Sequence, residues 1–322
     1  MKRQWVGIVI GIGSLLFTSA IAKSDQSYLL DGNESLDGME IAITVDDLPA
    51  HGEIPPAMNR RDIGKGVLRA LESVHTPPVY GFSNAQQLTW APDSLEVLKD
   101  WLQSGHLLGN HTFSHVDLAH ATAEAYIADI VAMDGLLTYL SPIASPVKVF
   151  RYPYMSEGDT LEKRDRVRSF LKDHGYQVAQ VTVHYFDWAW NSAYVRCQAM
   201  NDKARMQWLQ QHVIAAARRE VRQAQKMAKL VIGRDIRHIL LLHVSAFNSL
   251  TLAEVLAALQ ADGVKFIDLP TAMSDPIYRL NPGLPLPGSA TFLQQLIEAK
   301  NLENPYRGQL YAPKGIEAMC KP

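Results

Sequence analysis

Two adjacent carboxylates, Asp46 and Asp47, directly follow residues 39–45, an apolar run that predicts a buried strand. Two carboxylates side by side at the end of such a strand are costly unless a positive group lies there. A metal ion removes that cost, because one carboxylate becomes a ligand and the other is left to act as a base. The pair therefore predicts a metal site at this strand end.

Two imidazoles that could complete the site, His111 and His115, lie four positions apart about 65 residues further on. On a helical turn, side chains at this spacing point the same way, so both can reach one ion. One Asp and two His form a facial triad with positions left open for water and substrate. Zinc suits this ligand set in an extracytoplasmic enzyme, and other divalent ions also fit. Taken alone, the pair is equally typical of a solvated helix face.

Other polar groups follow other predicted strands. Arg151 comes after the strand at 147–150 and could pair with a buried carboxylate and lower its pKa. A backbone N–H beside Pro153 could serve an oxyanion. His243 ends the apolar strand at 238–244 and is a candidate general acid, because imidazole titrates near neutral pH. The alternatives are a surface arginine in an ordinary turn and a histidine satisfied within the core.

A further carboxylate, Asp187, follows the predicted strand at 177–184 and could orient His243. The rings of Trp188 and Trp190 beside it could form a wall for a sugar, or could belong to the core. In a strand–helix barrel the carboxyl ends of the strands share one face, where active sites are built. We therefore expect all these groups to meet on that face.

The elements that must position these residues alternate along the chain. About seven strand–helix units indicate a parallel sheet with crossover helices, and a barrel rather than a two-sided open sheet. The predicted strands are 39–45, 79–82, 147–150, 177–184, 238–244 and 264–268, and residues 106–109 are predicted to form a further short strand or a turn. The predicted helices are 60–75, 93–104, 122–140, 160–174, 202–231, 251–261 and 289–300.

The first 22 residues have the pattern of a secretory signal, with Lys2 and Arg3 ahead of an apolar stretch and cleavage after Ala22. An uncleaved N-terminal anchor is the alternative. No other stretch approaches the ~20 apolar residues of a membrane-spanning helix. We therefore expect a secreted or periplasmic protein without a stable membrane span after cleavage.

The remainder is expected to consist of a flexible leader (23–38), a barrel domain (39–275) and a C-terminal extension packed on it (276–322). The formal net charge of −2 becomes more negative when the basic signal at 1–22 is removed, which argues against a nucleic-acid partner. Cys197 and Cys320 can pair in an oxidising compartment and tie the tail to the body, or both can remain free thiols.

Together these motifs resemble the polysaccharide deacetylases, the NodB-homology carbohydrate esterases. The resemblance covers roughly residues 40–270. The family motif T-F-D-D corresponds to residues 44–47, H-[ST]-x-x-H to 111–115, R-x-P-[YF] to 151–154, the Asp-Trp pair to 187–188, and the leucine-histidine motif to 241–243. One departure is His184, which stands where many members carry the first acid of D-x-x-D-W.

The resemblance implies an α/β fold, a distorted (β/α)7-type barrel with parallel strands, and metal-dependent removal of N-acetyl groups with zinc as the expected ion. It implies the following roles: Asp46 as base; Asp47, His111 and His115 as metal ligands; Arg151 tuning Asp46; the Tyr154 backbone at the oxyanion; Trp188 and Leu241 at the substrate; and His243 as acid, held by Asp187.

The expected substrate is an N-acetylated glycan, such as peptidoglycan, a chitin-like oligomer or an exopolysaccharide. The first alternative is a related hydrolase of a non-sugar C–N amide bond, which the same site can serve. The second is a glycan-binding protein that has kept the fold and lost turnover.

Overall fold

The computed structural model describes residues 35–91, 93–141, 147–304 and 314–321. The expected signal at 1–22 and most of the leader at 23–38 lie outside these residues. The end of the leader packs on the fold, because Leu36 is fully buried and the N–H of Gly38 donates to the carbonyl of Gly263 at 3.1 Å.

Seven parallel strands form one curled sheet in the order β5-β4-β3-β2-β1-β6, with β7 pairing with the start of β1. Beyond β5, Val183 pairs with Leu240 of β6, which brings the two ends of the sheet together. The expected distorted barrel with parallel strands is confirmed. The strands are β1 (Glu40–Leu48), β2 (Tyr80–Ser83), β3 (Leu107–Asn110), β4 (Lys148–Phe150), β5 (Tyr176–Val178), β6 (His238–His243) and β7 (Lys265–Ile267).

Helices connect the strands, and polar side chains start several of them. Asn59, Thr122 and Thr160 each accept a hydrogen bond from a backbone N–H of the first turn that would otherwise have no partner. The helices are α1 (Arg60–Ser73), α2 (Ser94–Gln103), α3 (Ala123–Leu140), α4 (Leu161–Asp173), α5 (Asp187–Ala199), α6 (Lys203–Ile232), α7 (Asn248–Ala261), α8 (Leu269–Met273), α9 (Phe292–Ala299) and α10 (Lys314–Ala318). None of the helices described has the length and apolar character needed to cross a membrane.

The structure differs from the sequence prediction between β5 and α6. The predicted strand at 177–184 was too long, because β5 ends at Val178 and only a short stretch near Val183 pairs again. The sequence pattern does not predict α5, because most of that helix is buried and it has no polar face to give a helical period. Trp190 is fully buried and stacks on Phe247, so it belongs to the core rather than to a sugar-binding wall.

Cys197, on α5, forms a disulfide with Cys320, in the segment that follows α10. Of the two alternatives that the sequence left open, the structure therefore has the paired form. Beside it, the guanidinium of Arg196 donates to the carbonyls of Ile316, Glu317 and Met319. The end of the chain is thus attached to α5, whose other end begins at Asp187 and faces the candidate site.

Candidate active site

Asp46 and Asp47 lie at the carboxyl end of β1, at the edge where His243 ends β6. Successive side chains of a regular strand point to opposite faces. Here the register shifts between Asp46 and Leu48, and Asp47 adopts a left-handed φ of 62°. Both carboxylates therefore reach the same imidazole: His111 Nε2 lies 3.7 Å from Asp46 Oδ2 and 3.5 Å from Asp47 Oδ1.

Asp47, His111 and His115 form a group able to hold a metal ion. His115 Nε2 lies 3.1 Å from Asp47 Oδ1, on the same side as His111 Nε2. His111 Nδ1 donates to the carbonyl of Arg151 at 2.8 Å, which leaves the Nε2 lone pair facing the group. One carboxylate oxygen and two imidazole nitrogens are a donor set that suits zinc and leaves room for other ligands.

The histidine pair lies on a loop, so the expected helical turn was wrong. Thr112 and His115 have left-handed φ values of 60° and 56°, which an α-helix excludes. The carboxylate of Asp129, on α3, accepts the N–H of Ser114 at 2.9 Å and its hydroxyl at 3.0 Å. Because α3 holds the loop in this way, His111 and His115 converge without helical geometry.

The protonation states of the group agree with ligand chemistry. Burial lowers the pKa of His111 to about 3, so its ring is neutral at neutral pH. Burial opposes the ionisation of Asp47, but the neighbouring His115 and His51 hold the pKa of its carboxyl well below its usual range. A neutral imidazole and an ionised carboxylate are the forms that bind metal.

Asp46 pairs with Arg151, which is itself buried. Arg151 Nη1 lies 3.3 Å from each carboxylate oxygen, Nη2 donates to Thr44 Oγ1 at 3.1 Å, and Nε donates to the carbonyl of Ala179 at 2.6 Å. Burial raises the pKa of Asp46 to about 6 although Arg151 opposes that rise. The expected pairing is present, but burial outweighs the expected lowering of the pKa, and the result is a carboxylate suited to take up a proton near neutral pH.

His243 is held by Asp187 through two hydrogen bonds. Its Nδ1–H donates to Asp187 Oδ1 at 2.8 Å, and its backbone N–H donates to Oδ2 at 2.7 Å. Asn248 Nδ2 adds a third hydrogen bond, to Oδ2 at 2.6 Å. Burial disfavours the imidazolium, but Asp187 raises the pKa of His243 to about 9, so the ring carries a proton that it can donate.

The remaining predicted residues differ in how far their side chains are exposed. The ring of Tyr154 lies edge-on to His115 with centroids 4.5 Å apart, and it is half exposed. Trp188 is exposed on the first turn of α5. Leu241 is buried within β6, so its side chain has little surface to offer a substrate. Burial lowers the pKa of His184 to about 4, so its ring is neutral at neutral pH.

The sequence analysis missed two residues that contact Asp47. His51 Nδ1 lies 2.6 Å from Asp47 Oδ2, and Asn84 Nδ2 donates to Asp47 Oδ1 at 2.8 Å. Asn84 directly follows β2, a position like those that singled out Arg151 and Asp187. His51 has no comparable signal, because it lies in a loop whose path the sequence does not reveal.

Residues 33–179 match the family model described as polysaccharide deacetylase. The chain is 30% identical over 82 residues to a chitin deacetylase of Arthroderma benhamiae, a match covering 26% of this chain and 22% of that protein. It is 30% identical over 97 residues to a peptidoglycan-N-acetylglucosamine deacetylase of Bacillus cereus, covering 30% of this chain and 32% of that protein. The matches therefore span about a fifth to a third of the length of these curated relatives.

Solved structures with the same fold include a CE4 family pseudoenzyme from Bacillus anthracis, with a TM-score of 0.51 and 14% identity over 75% of this chain and 67% of that chain. The chitin deacetylase from Colletotrichum lindemuthianum gives a TM-score of 0.50 and 16% identity over 75% of this chain and 90% of that chain. At these identities the likeness concerns the fold alone.

Proposed function

Because residues 33–179 match the polysaccharide deacetylase family model, we propose that the chain is a metal-dependent hydrolase that removes N-acetyl groups from an N-acetylated glycan. The observation that carries this proposal is the meeting of three groups at one end of the barrel. They are the possible metal-holding group around Asp47, the Asp46–Arg151 pair and the Asp187–His243 pair. The likeness to a pseudoenzyme concerns the fold alone, and this chain has the possible metal-holding group and both titratable pairs.

Asp47, His111 and His115 would hold the ion, and zinc is the ion we propose. When bound, zinc supplies a Lewis acid that polarises a carbonyl and lowers the pKa of water. The distances and the orientation of His111 described above fit this group, since each residue presents one donor atom to a common point.

The other residues divide the proton transfers between them. Asp46 would take the proton from the attacking water, with Arg151 keeping the carboxylate oriented. The backbone N–H of Tyr154 would donate to the oxyanion that forms. His243, charged because Asp187 stabilises its proton, would protonate the leaving amine. The products would be acetate and a free amino sugar.

The experiment that tests this function compares acetate release from three substrates: N-acetylglucosamine oligomers, peptidoglycan, and a non-sugar acetamide of similar size. Each is incubated with metal-free protein and with zinc-supplemented protein. Zinc-dependent acetate from either glycan supports the proposal. Turnover of the acetamide alone would favour the non-sugar hydrolase, and glycan binding without acetate from any substrate would favour a binding protein.

We also propose that the protein acts in the periplasm or outside the cell, after cleavage following Ala22. The Cys197–Cys320 disulfide supports this, because such bonds persist in oxidising compartments. N-terminal sequencing of the protein from the extracytoplasmic fraction tests it. A mature chain beginning at Lys23 is expected, and a chain that keeps its first 22 residues would contradict cleavage.

A further inference from the structure

His51 lies between the candidate metal site and the candidate acid. Its Nδ1 is 2.6 Å from Asp47 Oδ2, and its ring centroid is 4.3 Å from that of His243. Its backbone N–H donates to the carbonyl of Val244 at 2.6 Å, which fixes the loop after β1 to the end of β6. The side chain is about a quarter exposed, so it lies at the edge of the site rather than within the core.

Two roles are open to an imidazole in this position: a metal ligand or a hydrogen-bond donor to a ligand. Asp47, His51 and His243 lie close enough to form a second possible metal-holding group. Donor atoms around one tetrahedral zinc ion, each about 2.1 Å from it, lie about 3.4 Å from one another. The contacts of His111 and His115 with Asp47, at 3.5 and 3.1 Å, agree with that spacing.

The contact of His51 with Asp47 does not agree with the spacing of two ligands around one zinc ion. At 2.6 Å it is a short, charge-assisted hydrogen bond between an N–H and a carboxylate. It engages Oδ2, whereas His111 and His115 both face Oδ1. The carboxylate of Asp47 is therefore held from its far side, and this leaves Oδ1 pointing at the two ligand imidazoles.

We propose that His51 is a positioning residue for the metal site, which rests on the proposed function: it holds the Asp47 carboxylate so that Oδ1 is presented to the ion. Asn84 supports the same carboxylate through Oδ1. Without His51, Asp47 Oδ2 loses its 2.6 Å donor and the carboxylate can rotate away from His111 and His115. Partners that orient metal ligands typically contribute 10- to 100-fold to metal affinity.

The test measures zinc affinity by competition with a chromophoric chelator, using metal-free, full-length protein. We expect His51→Ala to bind zinc 10- to 100-fold more weakly than the wild type. His51→Asn places an amide N–H near the position of Nδ1 and is expected to recover most of that loss. His174→Ala removes an exposed imidazole whose ring contacts, among the described residues, are with Phe170, and it is expected to leave the zinc affinity unchanged.

Three outcomes would overturn the positioning role. Unchanged affinity in His51→Ala would show that Asp47 needs no support from it. Equal loss in His51→Ala and His51→Asn, with thermal unfolding unchanged, would show that the hydrogen bond is not the cause. Two zinc ions per wild-type chain, falling to one in His51→Ala, would make His51 a ligand. Failure of wild-type protein to bind zinc would instead remove the proposed function itself.

Discussion

Asp46 and Asp47 are neighbours in the chain, yet their surroundings give them opposite protonation behaviour. Burial raises the pKa of Asp46 to about 6, with one arginine opposing that rise. Asp47 is also buried, but His115 and His51 hold its pKa well below the usual range. Two carboxylates with separated pKa values can take different roles, one as proton acceptor and one as ligand.

Asp46→Asn is expected to remove the base and leave metal binding intact. The amide has nearly the same shape as the carboxylate but cannot accept a proton from water. We expect kcat for acetate release to fall by roughly 10²- to 10⁴-fold, with zinc affinity within a few-fold of the wild type. Steady-state kinetics and chelator competition measure the two quantities. A variant that retains wild-type kcat would rule out Asp46 as the base.

Asp187→Asn is expected to disturb the acid. The carboxylate accepts three hydrogen bonds, from Nδ1–H and the backbone N–H of His243 and from Asn248. An amide in its place turns one acceptor into a donor and no longer stabilises the imidazolium. We expect kcat to fall by roughly 10²-fold while zinc affinity is retained. If zinc affinity and kcat fall together, Asp187 acts on the fold of the site and not on His243.

The sequence was sufficient to predict which chemical groups form the site, but it predicted only some of their contacts. Residue type and position after a strand singled out Asp46, Asp187 and His243, because parallel strands end on one face. His51 gave no such signal, since its position depends on the path of a loop and on a hydrogen bond to Val244. Trp190 has the type of aromatic side chain that could form a binding wall, but it lies in the core.

At the scale of elements, a loop rather than a helix presents the two histidines of the candidate metal site. The i, i+4 spacing of His111 and His115 suggested a helical turn, and the left-handed residues of the loop exclude one. The loop is held by Asp129, in α3, which accepts two hydrogen bonds from Ser114. Long-range support of this kind is invisible to patterns that span only a few residues.

Asp129→Ala is expected to weaken metal binding although Asp129 touches neither ligand ring. Loss of its bonds to Ser114 frees the loop to move, and we expect about tenfold weaker zinc binding by chelator competition. Glu124→Ala is the matched control on the same helix, because its only ion pair within the described residues is a 3.8 Å contact with Arg166 between exposed side chains. Equal affinities in the two variants would show that α3 does not determine the loop geometry.

The segment before α9 supports the other side of the site. The segment before α9 forms an antiparallel bridge between Gly158 and Leu286, and Ser289 Oγ donates to the carbonyl of Tyr154 at 2.8 Å. Tyr154 has a left-handed φ of 57°, a conformation that needs support for a residue with a side chain. The chain after the last strand thus contacts the turn whose backbone N–H we assign to the oxyanion.

At the scale of the whole molecule, the alternation of strands and helices was sufficient to predict the parallel, curled sheet. The alternation reflects the geometry of parallel sheets, whose strands require crossover connections. The sequence prediction missed α5. This helix is buried on most sides, so its apolar residues show no helical period from which it could be recognised. That helix joins the site, through Asp187, to the end of the chain, through Cys197.

Removing the disulfide is expected to cost stability and not metal affinity. The bond closes a sequence separation of 123 residues, and native disulfides typically contribute about 2–4 kcal/mol to unfolding free energy. We expect a Cys197→Ser, Cys320→Ser variant to lose about that amount in urea unfolding, with zinc affinity within a few-fold of the wild type. Wild-type protein with reductant should show the same loss. A variant as stable as the oxidised wild type would show that the other contacts of the tail, the Arg196 hydrogen bonds and the buried Ile316, are sufficient to hold it.

Titration of metal-free protein with zinc, with acetate release from the best glycan substrate measured in each sample, tests the central claim most directly. We expect activity to be absent without metal, to rise in proportion to zinc, and to level off at one equivalent. His111→Ala should neither bind zinc tightly nor release acetate. Full acetate release from metal-free protein, or an unaltered titration in His111→Ala, would contradict a deacetylase built on Asp47, His111 and His115.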